Sequence, residues 1–167
     1  MRILVTVASR HGATREIGAV VADELRAAGH AVDELEPDDV GTVGPYEAVV
    51  LGSSVYVGRL AAALRELVDR ESGQLAARPV WLFWSGPVGD ALVPPTEPAD
   101  IAATALRIGS HPPHCFAGRL DRKELGLAER ALVAMIHAEQ GDFRDLDAVR
   151  AWAAAIADEL VGRPPRR

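Results

Sequence analysis

The chain has 167 residues, 49% of them hydrophobic, and a formal net charge of −6 at pH 7. That length suits one domain with a real core, and the hydrophobic share excludes a disordered chain. The acidic balance argues against nucleic acid as a partner, the single cysteine, Cys115, excludes an internal disulfide, and no run reaches the roughly 18 apolar residues of a spanning helix.

Residues 1–8 are rich in Ile, Leu and Val and read as a strand buried on both faces, as in a parallel sheet. No charged leader, apolar stretch and cleavage site stands ahead of this strand, so the expectation is a cytoplasmic protein. The next six residues, Ser9-Arg10-His11-Gly12-Ala13-Thr14, are mostly small or polar, and a helical pattern starts near Arg15. Strand, short polar loop and helix make an anion site, because the first N–H groups of a helix lack partners that a phosphate can supply. Two readings of the loop stand: a phosphate clamp, with Ser9 and Thr14 adding hydroxyls, or an ordinary turn whose hydroxyls cap the helix. Arg10 either offsets a phosphate charge or is a solvated side chain.

The helix of residues 15–28 carries Ile17, Val20, Val21 and Leu25 on one stripe, and Gly29 is placed to stop it. A second, weaker strand starts at Ala31-Val32. Five of the seven residues from Asp33 to Asp39 are acidic, which fits a charged edge strand. The first loop holds only Gly12, so it has neither the spaced glycines of a dinucleotide site nor a Gly-Lys-Ser/Thr run. It is suited to a mononucleotide phosphate.

Residues 48–51 form a third buried-type strand. It ends in Gly52-Ser53-Ser54-Val55-Tyr56-Val57-Gly58-Arg59, followed by a helix with Leu60, Leu64, Leu67 and Val68 on one side. This loop either admits a flat ring beside Tyr56 or uses Tyr56 to cover the core. Val80-Trp81-Leu82-Phe83-Trp84 is the fourth strand, and Ser85-Gly86-Pro87-Val88-Gly89-Asp90 its turn-rich loop. Three polar, glycine-containing loops (9–14, 53–59 and 85–90) therefore follow three strands. In an open parallel sheet they share one edge, where ligands bind at the reversal of strand order.

A helix over 101–108 precedes His114-Cys115-Phe116-Ala117, a short fifth strand. His111, His114 and Cys115 are not expected to hold a metal, since neighbours 114 and 115 point to opposite sheet faces. Residues 122–137 read as a helix. The last helix spans roughly 145–160, with the stripe Leu146, Val149, Trp152, Ala153, Ile156 and Leu160. Strands alternating with helices imply a three-layer α/β domain over 1–162, with a short basic tail at 163–167. No residue stands out as a general acid or base.

These residues resemble the flavodoxin-like family. Ser9-Arg10-His11-Gly12-Ala13-Thr14 looks like its phosphate loop, and Gly52 to Gly58 like its second flavin loop. Ser9-Arg10, Gly12 and Thr14-Arg15-Glu16-Ile17 resemble the menaquinone-dependent protoporphyrinogen oxidase branch, which often has Asp where this chain has His11. Phe116 to Leu120 and Gly141 to Asp145 are similar to that branch as well. The resemblance implies a five-stranded parallel sheet in the order 2-1-3-4-5 and non-covalent FMN. It places the phosphate on Ser9, Arg10, His11, Gly12, Ala13 and Thr14. Ser54, Val55, Tyr56, Val57 and Gly58, and Trp84, Ser85, Gly86, Pro87 and Gly89, would border the flavin ring, with Tyr56 and Trp84 as stacking or edge residues.

The implied function is an FMN-dependent oxidoreductase, oxidising protoporphyrinogen IX with a quinone acceptor. The alternatives are an electron-transfer flavodoxin with a redox partner, or a flavin-free relative. Residues 118–142 correspond to the branch's insertion for substrate or membrane contacts. Residues 121–140 depart from that branch, carrying both charge signs without a concentrated basic face.

Overall fold

The computed structural model describes residues 1–86, 96–121, 123–135 and 140–162. Pro87 and Gly89 of the third loop, and the basic tail at 163–167, lie outside the described residues.

Five parallel strands run side by side: β1 (Arg2–Ala8), β2 (Ala31–Leu35), β3 (Ala48–Tyr56), β5 (Val80–Gly86) and β6 (His114–Ala117). Their order is β2-β1-β3-β5-β6, which is the expected 2-1-3-4-5 when only these five are counted. A two-residue strand, β4 (Arg59–Leu60), folds back antiparallel on the end of β3. Helices α1 (Ala13–Ala27) and α5 (Leu146–Val161) cover one face, and α2 (Ala62–Ala76) and α3 (Ala99–Ile108) the other.

The two faces follow from strand alternation. Ile3, Val5 and Val7 point to α1 and α5 and meet Ile17, Val21, Leu25, Val149 and Ile156. Leu4 and Ala8 point the other way, toward Leu64, Leu67, Ile101 and Ile108. Nearly every β1 side chain is buried, as a central strand requires. The acids of edge strand β2 are paired with arginines: Asp33 with Arg2 at 2.7 Å and Glu34 with Arg26 at 2.6 Å. Gly29 ends α1 as expected. It sits at φ 89°, with His30 N–H donating to Leu25 C=O and Gly29 N–H to Arg26 C=O.

Several element limits differ from the sequence reading: β3 runs on to Tyr56 and β5 to Gly86, so residues 52–56 and 85–86, expected as loop, pair with neighbouring strands. Leu60 belongs to β4, not to α2. Its N–H donates to Asp100 and the next N–H to Ser53 Oγ, which holds the chain extended until Ala62. Its side chain still packs with Leu64 and Leu67. Helix α4 begins at Leu127, later than the expected 122, and runs through Met135; the last two residues of the expected span to 137 lie outside the described residues. Asp121 Oδ1 accepts from Lys123 N–H and Asp121 C=O from Glu124 N–H, a turn that delays the helix. The segment carrying α4 is closed by an antiparallel pairing of β7 (Arg119–Leu120) with β8 (Gly141–Asp142).

Candidate functional site

The register of the sheet brings three strand ends level. Ala8 pairs with Ser53, Ser53 with Trp84 and Ser54 with Ser85. Strand order reverses between β1 and β3, so the loops after these strands open a crevice at the carboxyl edge. A cavity of about 420 Å³ lies there, within the size range of cofactor sites.

Of the sequence-predicted residues, Ser9, His11, Ala13, Thr14, Ser54, Val55, Tyr56, Val57, Gly58, Trp84, Ser85 and Gly86 line this one cavity. Arg10 and Gly12 do not form its wall. Gly12 is the N-cap of α1, in the left-handed region at φ 82°, and no side chain caps the helix. The hydroxyl-capping reading of the loop is therefore not the one this helix uses. Thr14 instead directs its hydroxyl to Ser85 Oγ, 2.7 Å away, and both residues are buried. The first N–H groups of α1 remain open to an anion.

The end of β3 and the turn after it are shaped by their own hydrogen bonds. Ser53 Oγ donates to Ser54 C=O and accepts from Ala61 N–H. Val57 and Gly58 join β3 to β4 in a two-residue turn, both at positive φ, 51° and 71°. Valine resists that conformation, so the turn is strained at a residue 83% exposed. Ser54 is nine-tenths buried on the cavity wall, and its Oγ has no hydrogen-bond partner among the described residues. A buried hydroxyl left unpaired is costly unless a ligand completes it. That orphaned atom fits a ligand with polar edges lying against β3.

Tyr56 is half-buried, and burial raises its phenol pKa. The Arg10 guanidinium lies 5.8 Å from its ring centre, and the His11 ring meets it edge-on at 6.4 Å. Trp84 is 3% exposed and packs into the core under α3, so it offers the cavity an edge and not a free face. Gly86 makes room for that ring, since a Cβ there would come within 2.6 Å of Trp84 Cζ3.

The sequence reading did not single out the far wall. Glu124, Leu125, Glu129 and Val133, with Leu120 and Asp121, line the same cavity from the segment carrying α4. Only the general expectation of substrate contacts across 118–142 pointed there. His111, His114 and Cys115 pack apart from it. His111 stacks on Trp81 at 4.6 Å, His114 lies against Phe116 and Trp152, and burial pushes the Cys115 thiol up to about 11. Among the described residues, no group of three or more His, Cys, Asp or Glu could hold a metal ion. Nor is any helix there long and apolar enough to cross a membrane.

Comparisons with known proteins agree with this geometry. The family model described as "Flavodoxin domain" matches residues 4–147. Among solved structures, a flavodoxin from the domain Archaea is similar at 16% identity and a TM-score of 0.66, covering 96% of this chain and 99% of that one. Oxidised Flavodoxin 1 from Bacillus cereus is similar at 12% identity and a TM-score of 0.64, covering 95% and 98%. A cysteine-to-serine mutant of flavodoxin from Pseudomonas aeruginosa is similar at 20% identity and a TM-score of 0.61, covering 97% and 100%. At these identities the likeness establishes the fold. No curated protein matches the sequence.

Proposed function

The chain belongs to the flavodoxin domain family, and from that premise we propose that it is an FMN-binding electron-transfer protein acting with a redox partner. Flavodoxin domains characteristically carry FMN, and FMN is the cofactor of this chain. The observation that carries the site assignment is the cavity walled by Thr14, Ser54, Tyr56 and Ser85 at the strand-order reversal. Ser9, Arg10, His11, Gly12, Ala13 and Thr14 hold the phosphate at the start of α1, with Arg10 reaching it from beside the cavity. Ser54 to Gly58 and Trp84 to Gly86 border the flavin ring, and the Ser54 hydroxyl supplies a hydrogen bond to its polar edge. The flavin supplies the redox chemistry when bound. The protein's part is to fix the ring, exclude water on the core side and set the local charge. The net charge of −6 favours encounter with a basic partner.

Oxidation of protoporphyrinogen IX with a quinone acceptor is the narrower reading. It rests on the likeness of Ser9-Arg10, Gly12 and Thr14 to Ile17 to the oxidase branch, whereas the similar solved structures named above are flavodoxins, which supports electron transfer.

Titration of apoprotein with FMN, followed by flavin fluorescence and visible absorbance, tests the proposal. One-to-one saturable binding that is lost in Ser9→Ala combined with Thr14→Ala is the expected result. No binding at high micromolar FMN overturns it. Porphyrin formation from protoporphyrinogen and menadione, beyond autoxidation, would move the assignment to the oxidase reading.

A further inference from the structure

Helix α4 places a carboxylate on the loop assigned to the phosphate. Glu129 Oε1 lies 2.9 Å from Arg10 Nη1 and 3.3 Å from His11 Nε2, and its side chain is only 15% exposed. Its Oε2 accepts from the Gly126 N–H at 2.8 Å. That is the backward reach of a third-position glutamate to the start of its own helix. Arg10 and His11 both also rest on the Tyr56 ring. The loop after β1, the β3–β4 turn and α4 therefore meet at one acidic side chain. Nothing in local sequence requires this contact, since 118 residues separate Glu129 from His11.

We propose that Glu129 is a specificity-determining latch. It occupies the basic side chains of the phosphate loop when no ligand is bound and ties α4 to that loop. It yields those side chains to the ligand's phosphate, and so sets how strongly the site prefers a phosphorylated flavin to an unphosphorylated one. This inference rests on the FMN reading above.

The reasoning is a competition for donors. A phosphate brings as many as two negative charges and accepts strongly from guanidinium and imidazole N–H groups. A carboxylate already on the same donors must be displaced, or must share them against like-charge repulsion. Riboflavin carries no phosphate and meets no such competition. Glu129 therefore weakens FMN binding and leaves riboflavin binding almost unchanged. Gln at 129 keeps the length of the side chain and an oxygen for the Gly126 N–H, so the start of α4 survives while the charge is lost.

The test compares wild-type and E129Q apoprotein. Each is titrated with FMN and with riboflavin, and amide hydrogen exchange over 125–131 is followed without ligand. A third protein, Arg10→Met with His11→Leu, removes the donors of the same tether from the loop side and leaves Glu129 on Gly126. We expect E129Q to bind FMN roughly tenfold tighter and riboflavin within about twofold of wild type. Ligand-free exchange over α4 should rise in both E129Q and the loop variant. Equal or weaker FMN binding by E129Q, or an equal gain for riboflavin, overturns the latch. So does unchanged exchange in the two variants, whatever the flavins do. If neither wild type nor E129Q binds either flavin, the FMN reading fails, and exchange alone decides whether Glu129 ties α4 to the loop.

Discussion

The hydroxyls of Thr14 and Ser85 lie 2.7 Å apart with both residues buried, so the first turn of α1 is tied directly to the end of β5 beneath the cavity. The pair spans 71 residues of chain and joins two elements that wall the cavity. Thr14→Val keeps the shape of the side chain and leaves the Ser85 hydroxyl without this partner. The expected cost is about 1–2 kcal/mol of stability in urea denaturation, with FMN binding weakened by roughly tenfold. Thr14→Ser retains the hydroxyl and should stay close to wild type. Equal urea midpoints for wild type and the valine variant would show that this bond does not support the fold.

Ser54 should behave in the opposite sense toward stability. Its Oγ is buried without a partner among the described residues. Ser54→Ala removes an unsatisfied group, so the apoprotein should be unchanged or more stable by up to about 1 kcal/mol. FMN affinity should nevertheless fall, because the hydroxyl is assigned to the ligand. Thermal denaturation of the apoprotein and FMN titration of the same samples separate the two effects. A variant that loses stability and keeps full affinity would make Ser54 structural.

Beneath the cavity, Gly52 faces Phe83 across the β3–β5 pairing, and a Cβ at 52 would come within 2.3 Å of the Phe83 ring. Phe83 is fully buried and packs edge-on against Phe116 and Trp152. Gly52→Ala should therefore cost about 2–3 kcal/mol through overpacking. Phe83→Leu frees the space, so the double variant should be less destabilised than the sum of the two single changes. Additive losses in urea denaturation would mean that the ring is not what Gly52 makes room for.

Some of this architecture was legible from local pattern. The apolar run of β1, the stop at Gly29 and the stripe of α5 all depend on neighbours in sequence. The stretches that wall the cavity were legible because small and polar residues follow each apolar run, although 53–56 and 85–86 prove to be strand ends and not loop. What stayed hidden depends on segments that meet only in the folded chain. Thr14 reads as a phosphate ligand or a cap, yet its hydroxyl goes to Ser85. Leu60 fits the α2 stripe, yet Ser53 and Asp100 hold it extended. Glu129 is not singled out within the mixed charges of 121–140, yet it rests on His11 and Arg10. In each case a hydrogen bond to a distant element overrides the local preference, and no periodicity records such a bond.

Arg144 makes the last of these distant links, and it gives the fold an acid-sensitive joint. Its side chain is 7% exposed and bonds Asp142 Oδ2 at 2.6 Å and Glu16 Oε2 at 2.5 Å, fastening the β8 turn to α1 just behind the loop of residues 9–12. Hydrogen bonding from Arg144 is the chief cause holding both carboxyls below their ordinary values of 3.8 and 4.5. A depressed carboxyl pKa means that the folded state binds fewer protons than the unfolded one. Its contribution is complete above the unfolded pKa and is lost as pH falls through the folded value. Wild-type stability should therefore decline as pH drops below about 4.5. Arg144→Met removes the donors and the charge, so the variant should be less stable at pH 7 and lose less on acidification. Urea midpoints measured from pH 7 to pH 3 decide the matter. Curves that stay parallel below pH 4.5 would assign the acid sensitivity to other paired carboxylates, Asp33 beside Arg2 foremost among them.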